Sequence, residues 1–366
     1  MFSFLPPELY STTHLGIVLL LTLLSCFGIF NQKAYILISR QRNNIFVVLY
    51  AFLFVIIVGL RPISGAFGDT LNYARTYSEM QGSPLFIEND ILFTFLMWWC
   101  AQRMSVEYFF LIVEILYIVP MILACKRLMN KNYDIAILFC FAAFSFFTYG
   151  VNGIRNGMAC SLVMLALTYI SGNLIEKVIC ALLAIIAINI HGSTALPVLC
   201  MIGAYFIRLP RTMFLFWGIS IILSLIAGGP ISNLFTQLGF DERLSDYIIT
   251  EVDENLFSRA GFRWDFLLYS AIPILLGYYI IFEKKVFDRT YLLLLGTYIY
   301  ANSFWIMVIR ANYSNRFAYL SWFLYPLVLV YPLLKLDIWH KTQGRKTAFI
   351  MVAHLAITLF LFFIYE

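Results

Sequence analysis

The chain has 366 residues, 62% of them hydrophobic and only 12% charged, with a formal net charge of +5 and a mean hydropathy of +0.84. A water-soluble domain carries roughly a quarter of its residues as charges, so no soluble fold could cover this much apolar surface. Soluble enzymes and soluble binding modules are excluded, and no nucleic-acid partner is expected.

Apolar stretches of about 17 to 25 residues, the length of a bilayer-spanning helix, recur from end to end. They are continuous rather than alternating and therefore read as helices, because lipid leaves every backbone amide to be satisfied within its own segment or in a closed barrel. The expected fold is all-α: a polytopic transmembrane helix bundle forming a single domain over residues 1–366. Twelve crossings are predicted at about residues 14–30, 45–60, 107–125, 134–150, 155–171, 175–190, 193–208, 212–228, 264–282, 290–309, 316–335 and 347–365. The first run lacks a basic segment before it and a small-residue cleavage site after it, and reads as a retained helix rather than a signal peptide. Ile91–Ala101 is too short to span and is expected as a re-entrant or interfacial helix in an outer loop over 61–106. A second outer loop, 229–263, carries Asp241, Glu242, Asp246, Glu251, Asp253 and Glu254. It reads either as a helix or lid over the bundle or as a solvated surface loop.

With the N-terminus outside, 16 of the 25 basic residues fall on the cytoplasmic side, as the positive-inside rule requires. All nine lysines are among them, and the nine outer basic residues are all arginines. Lysine and arginine serve topology equally, but guanidinium offers a planar fork of donors matched to phosphate and carboxylate. The outer arginines therefore look selected for binding. The seven cysteines form no CxxC pair and no cluster with histidine, and read as small buried hydrophobes.

Five clusters sit where an outward-facing helix end meets the interface. Arg61 to Tyr73 presents a cation, the Asp69 carboxylate and the Tyr73 phenol in one glycine-containing loop. Asn152-Gly153-Ile154-Arg155-Asn156-Gly157 reads as a broken-helix corner whose arginine begins a descending helix, a natural place for an anion. His191 to Ala195 forms the next corner, Phe262-Arg263-Trp264-Asp265-Phe266 opens the helix after the acidic loop, and Arg310 to Tyr319 contains Asn315 and Arg316. Each has a plainer role open to it. Boundary arginines snorkel, Tyr73, Tyr313, Tyr319 and Trp264 suit an interfacial aromatic belt, Asp265 can pair with Arg263 or Arg259, and His191 can be a hydrogen-bonded core group. Glu114, inside an apolar run, reads as a paired structural carboxylate, and His340 and His354 receive no function. Together the arginines beside Asp69, Asp265 and His191 suit a polyanionic headgroup approaching from lipid, a diphosphate above all. No HExxH, paired-aspartate or Cys/His metal pattern occurs in the sequence, so metal-independent chemistry without a cofactor is expected.

At these clusters the sequence resembles the Wzy-type O-antigen polymerases, in the branch of the EpsG-like exopolysaccharide proteins. The resembling elements are Arg-Pro-x-x-Gly-x-x-Gly-Asp-Thr-x-x-Tyr at 61–73, Asn-Gly-Ile-Arg-Asn-Gly-Met-Ala at 152–159, His-Gly-Ser-Thr-Ala at 191–195, Phe-Arg-Trp-Asp-Phe at 262–266 and Asn-Arg-Phe-Ala-Tyr at 315–319. In that branch a glutamine often follows the arginine of the second element, and here Asn156 stands in its place. The resemblance implies a multi-pass protein of the bacterial inner membrane, similar to other polytopic glycosyltransferases with lipid-linked donors. It implies that a growing glycan leaves one undecaprenyl-diphosphate carrier and joins a sugar hydroxyl on a second lipid-linked repeat unit, on the periplasmic face, as in lipopolysaccharide biosynthesis. A chain-length regulator would be a further partner. Arg155, Arg263, Arg316, Arg61 and Arg310 are the candidate diphosphate ligands, and His191, Asp69 and Asp265 the candidate bases. Tyr73, Asn156, Trp264, Asn315 and Tyr319 are the candidate substrate contacts. A lipid-linked oligosaccharide flippase is the alternative from another class. It would call for charges deep in the bundle and internal pseudo-symmetry, whereas the charges here gather at one boundary. A sugar acyltransferase is a third option.

Overall fold

A hydrocarbon environment offers the backbone no hydrogen bonds, and in a computed structural model every regular element among the described residues is a helix. The structure describes residues 5–39, 44–87, 89–237, 262–310 and 314–365. The acidic stretch 241–254, Arg243, Arg259 and Tyr313 lie outside them, as do the side chains of 231–237, Ser314 and Asn315.

The helices are α1 (Tyr10–Ile29), α2 (Ala34–Ser39), α3 (Ile45–Gly59), α4 (Thr70–Met80), α5 (Ile91–Ala101), α6 (Val106–Met129), α7 (Tyr133–Phe141), α8 (Phe146–Val151), α9 (Ile154–Leu167), α10 (Leu174–Ile190), α11 (Ala195–Phe206), α12 (Pro210–Gln237), α13 (Trp264–Tyr278), α14 (Arg289–Met307), α15 (Ser314–Trp322), α16 (Tyr325–Lys335) and α17 (Gln343–Tyr365). They form two compact units, Met1–Thr194 with Val330–Glu366, and Ala195–Leu329. By length and composition six helical stretches among the described residues can cross a membrane: Pro7–Ile29, Val106–Met129, Pro210–Pro230, Trp264–Glu283, Arg316–Lys335 and His340–Tyr365. Ile45–Gly59, Ile91–Ala101, Ile154–Leu167 and Gly192–Phe206 are apolar but shorter. The chain is thus a helical membrane protein, and six of the twelve predicted crossings coincide with helical stretches of full spanning length.

The expected single crossing at 134–150 is two helices, α7 and α8, broken at residues 142–145. A break exposes carbonyls that the helix would otherwise satisfy, and here those of residues 138–143 each find a donor. Leu138, Cys140 and Ala143 accept from the N–H groups of Ala142, Ala143 and Phe146. The Phe139 carbonyl accepts from His354 Nε2 at 3.0 Å, that of Phe141 from His14 Nε2 at 3.0 Å, that of Ala142 from Thr358 Oγ1 at 2.7 Å, and that of Phe146 from the Tyr117 hydroxyl at 3.0 Å. His14 donates from Nε2, so its Nδ1 is the acceptor for the Tyr50 hydroxyl at 2.6 Å. Its ring sits among Phe54, Phe141 and Phe146. Buried histidines on α1 and α17 thereby pin the break between α7 and α8.

In this first unit α6 packs on α3 and α9, α9 on α10, and α1 on α17. The buried side chain of Gln343 closes the turn before α17, donating to the Leu333 and Leu336 carbonyls and accepting from the N–H groups of Ile338 and Trp339. In the second unit α14 is the central helix, packed against α11, α12, α13 and α15. Trp217 Nε1 donates to Asn302 Oδ1 at 2.9 Å, and Asn302 Nδ2 to Ser321 Oγ at 3.2 Å, linking α12, α14 and α15. α12 is kinked at Ala227 (φ −129°), three residues before Pro230, whose ring clashes with the preceding turn of a straight helix. The predicted crossing at 316–335 is likewise divided, between α15 and α16.

The contact of α1 with α17 has a clear test. Gly344 donates its N–H to the Gln32 carbonyl at 2.9 Å, and a Cβ on Gly344 would meet that carbonyl oxygen at 2.6 Å and press on the carbonyl of Ile29. Both neighbours are backbone, which cannot rotate away. Gly344→Ala should destabilise the protein by about 1–3 kcal/mol, seen as a lower thermal midpoint in detergent, and an unchanged midpoint would show that the two helices separate freely.

Candidate functional site

The first unit brings three of the sequence clusters together. Gly68 adopts φ +60° between the end of α3 and α4, and a Cβ there would stand 2.5 Å from the Asn152 side chain. Only glycine allows that approach without strain. The Asn152 Oδ1 accepts the backbone N–H of Asp69 at 3.0 Å, fastening the first cluster to the turn that precedes α9. The Asp69 carboxylate accepts from the Asn72 amide at 3.3 Å.

Arg61, a candidate diphosphate ligand in the sequence, is fully buried at 1% exposure. Its guanidinium donates to the carbonyls of Val58 at 2.9 Å and Val151 at 3.2 Å and to the Thr70 hydroxyl at 3.3 Å, and lies over the rings of Phe67 and Phe110. Nη1 and Nη2 are engaged, while Nε has no hydrogen-bond partner among the described residues, and the side chain joins the end of α3, the start of α4 and the end of α8. Its electrostatic partner is Glu114. That carboxylate is wholly buried, and neither oxygen has a hydrogen bond among the described residues.

The centre of the cluster is Asp90, which belongs to none of the five sequence clusters. Its Oδ2 accepts from Arg155 Nη1 at 2.7 Å and lies 3.5 Å from His191 Nδ1, and its Oδ1 accepts the N–H of Gly192 at 3.0 Å. The three side chains are largely enclosed, with exposures of 9% for Asp90, 13% for His191 and 26% for Arg155. Arg155 is on the first turn of α9 and its guanidinium also faces the Tyr73 and Phe93 rings at 6.0 and 5.7 Å. Asp90 itself is left-handed (φ 51°, ψ 56°), a conformation that costs a non-glycine residue about 1 kcal/mol or more and persists only where the surroundings hold it.

Those surroundings are built by α4 and α5. The Gln102 side chain donates to the Met80 carbonyl at 2.6 Å and accepts the Gly82 N–H at 3.1 Å, while Trp98 Nε1 donates to the Ser83 carbonyl at 2.9 Å. The loop is therefore tied to the end of α5 and must return along the helix, about 16 Å long at its rise per residue, to enter it at Asp90. The buried face of α5 is Phe93, Met97, Cys100 and Ala101, packed on α4, α6 and α10. An 11-residue helix falls well short of the roughly 30 Å hydrocarbon core.

Of the other candidates in this unit, Asn156 accepts from the Cys160 thiol at 3.0 Å, and Tyr73 packs edge-on to Phe93. The second unit holds the rest. Arg263 clasps Asp265 through two bonds, Nε to Oδ1 at 3.1 Å and Nη2 to Oδ2 at 2.8 Å, and its guanidinium lies 3.8 Å over the Phe266 ring. Pairing with Arg263 is among the plainer roles the sequence left open for Asp265. Trp264 is 55% exposed and stacks near Phe262, whose other neighbour is the exposed Arg310 guanidinium at 5.6 Å. Arg316 is exposed on α15, and Tyr319 packs against Trp322. The side chain of Asn315 lies outside the described residues.

Asp90 lies outside the spanning segments, and its titration follows from its partners. Burial alone would raise its pKa, but the hydrogen bond and charge of His191, the Gly192 N–H and the charge of Arg155 outweigh it and hold the carboxyl at about 2. A depressed carboxyl stabilises the fold above its unfolded value of about 4 and loses that contribution as pH falls toward 2, a term of about 2 kcal/mol. Asp90→Asn should therefore be less stable than the parent at pH 6, with the gap closing as both are acidified to pH 3 and below. A constant gap across that range, in thermal denaturation, would contradict the charged interaction.

A protein-family model, the EpsG family, matches residues 44–366. No curated protein and no solved structure matches the chain. The matched span takes in every cluster described above, and with it a general role in polysaccharide polymerisation. The chain is a member of the EpsG family.

Proposed function

We propose that this protein is a polysaccharide polymerase of the bacterial inner membrane that transfers a growing glycan from a polyprenyl-diphosphate carrier, of the undecaprenyl type, to a sugar hydroxyl of a second lipid-linked repeat unit. The observation that carries the reading is the family match across 44–366, and what supports its chemistry is the pairing of a guanidinium and an imidazole on one carboxylate. Departure of a lipid diphosphate develops negative charge, which preorganised guanidiniums stabilise in the transition state. Arg155 and Arg263 are assigned to that charge. Both are largely enclosed, with exposures of 26% and 17%, and face aromatic rings, an environment that strengthens a charge–charge contact. Arg310 and Arg316, both exposed, suit first contact with an arriving headgroup, and the site is assigned to the periplasmic face because the outer basic residues are arginines alone. The acceptor hydroxyl needs a base within hydrogen-bond reach. His191 is assigned that role over Asp69, which holds the Asn72 amide, and Asp265, whose oxygens are both clasped by Arg263. No metal is assigned to the reaction, because the guanidiniums supply the positive charge.

Deletion of the protein should leave cells making surface glycan or lipopolysaccharide with a single repeat unit. Complementation with Arg155→Ala or Arg263→Ala should lower long-chain product at least about 100-fold, on the order of 3 kcal/mol of transition-state stabilisation, while membrane levels of the protein stay normal. A normal ladder in the deletion strain would sink the polymerase reading, and long chains from either variant would remove that arginine from the site.

A further inference from the structure

The mechanism above needs an imidazole whose lone pair is presented to a hydroxyl, and an isolated histidine on a loop provides no such control. Either ring nitrogen of a neutral imidazole can hold the proton, and the partner of one nitrogen decides the state of the other. His191 follows the last residue of α10 in extended backbone (φ −152°, ψ 108°), and its neighbour Gly192 gives its N–H to Asp90 Oδ1. The same carboxylate meets His191 Nδ1 through Oδ2 at 3.5 Å. Two adjacent residues of one corner are thus held by the two oxygens of one side chain. The third bond to that carboxylate, from Arg155 at 2.7 Å, comes from a different helix. Tyr73 is the other titratable side chain facing the Arg155 guanidinium.

We propose that Asp90 is the positioning residue of the reaction centre: it holds His191 as the Nδ1–H tautomer, leaving Nε2 as the proton acceptor, and fixes that base at a set distance from the Arg155 cation. This rests on the polymerase reading of the same site. Nδ1–H donates to Asp90, so the lone pair resides on Nε2. Nε2 takes the proton of the acceptor hydroxyl as its oxygen forms a bond to the anomeric carbon of the donor glycan. The carbon–oxygen bond to the diphosphate breaks, and the diphosphate departs with the bonding electron pair toward Arg155. The proton on Nε2 leaves to solvent, restoring the neutral ring. Asp90 remains a carboxylate throughout and stabilises the imidazolium that forms. Its left-handed backbone, held by the loop fastened to Gln102 and Trp98, fits a residue placed by its surroundings rather than by local preference.

The test is the ring tautomer of His191 in the purified full-length protein in detergent, read by NMR of the histidine ring nitrogens and carbons. The chain has four histidines, and His191→Gln assigns the signal. The parent should show the Nδ1–H form, and Asp90→Ala, which removes the acceptor, should lose that preference. Asp90→Glu, which keeps a carboxylate, should restore it at least in part. An unchanged tautomer in Asp90→Ala overturns the proposal whether or not the protein is a polymerase. With lipid-diphosphate repeat units as substrate, Asp90→Ala should lower the turnover rate about 10- to 100-fold, with little change in KM. A folded Asp90→Ala variant with the parent's tautomer and rate makes Asp90 merely structural and overturns the proposal. Full activity in His191→Gln overturns it too, while leaving polymerisation itself intact.

Discussion

The arrangement of the first unit depends on one constraint, that no backbone carbonyl may be left bare in the apolar interior. α7 stops at Phe141 and α8 starts at Phe146, and the carbonyls of residues 138–143 are met one by one. Some are met by nearby N–H groups and the others by His354, His14 and Thr358, while Tyr117 meets that of Phe146. An unsatisfied carbonyl in this setting costs several kcal/mol, so α1, α6 and α17 are held where their donors reach. The break lets α8 end at Val151, whose carbonyl accepts hydrogen bonds from both Arg61 and Thr70. The turn at Asn152 and Gly153 then launches α9 with Arg155 on its first turn.

A second constraint, electrostatic rather than steric, acts at Asp90. A guanidinium on α9 needs a counter-charge where water is scarce, and an imidazole at the end of α10 needs an acceptor for its N–H. One carboxylate entering from α5 serves both, with its second oxygen on the Gly192 N–H. Three elements distant in sequence meet on the two oxygens of one carboxylate. Arg61 solves the opposite problem. Its donors turn inward onto carbonyls, and it fastens helices together.

The helices were legible in the sequence because lipid makes length and hydropathy nearly sufficient: the starts of α3, α5, α6, α9, α10 and α13 fall within a residue of where the apolar runs place them. The break at 142–145 was not legible. The run there is apolar throughout, and the donors that stabilise the break sit 127 residues away in His14 and 215 away in His354. α4 was missed for a different reason, since Thr70–Met80 is polar and carries no spanning signal. Arg155 and His191 stood out because each is a polar residue at a corner between apolar runs. Asp90 did not. Its local signature, an acidic residue just before an apolar run, reads as an ordinary helix start, and its partners lie 65 and 101 residues further on. The ligand role expected of Arg61 came from its place beside a glycine-rich loop, and burial, which sequence does not give, turned its donors inward.

The most direct measurement is made with the purified protein in lipid nanodiscs, supplied only with single repeat units on a polyprenyl diphosphate and with EDTA present. The account predicts a ladder of longer lipid-linked glycans, together with one free polyprenyl diphosphate for each glycosidic bond formed. Repeat units that stay single, or a ladder that forms only when a divalent cation is restored, would contradict it.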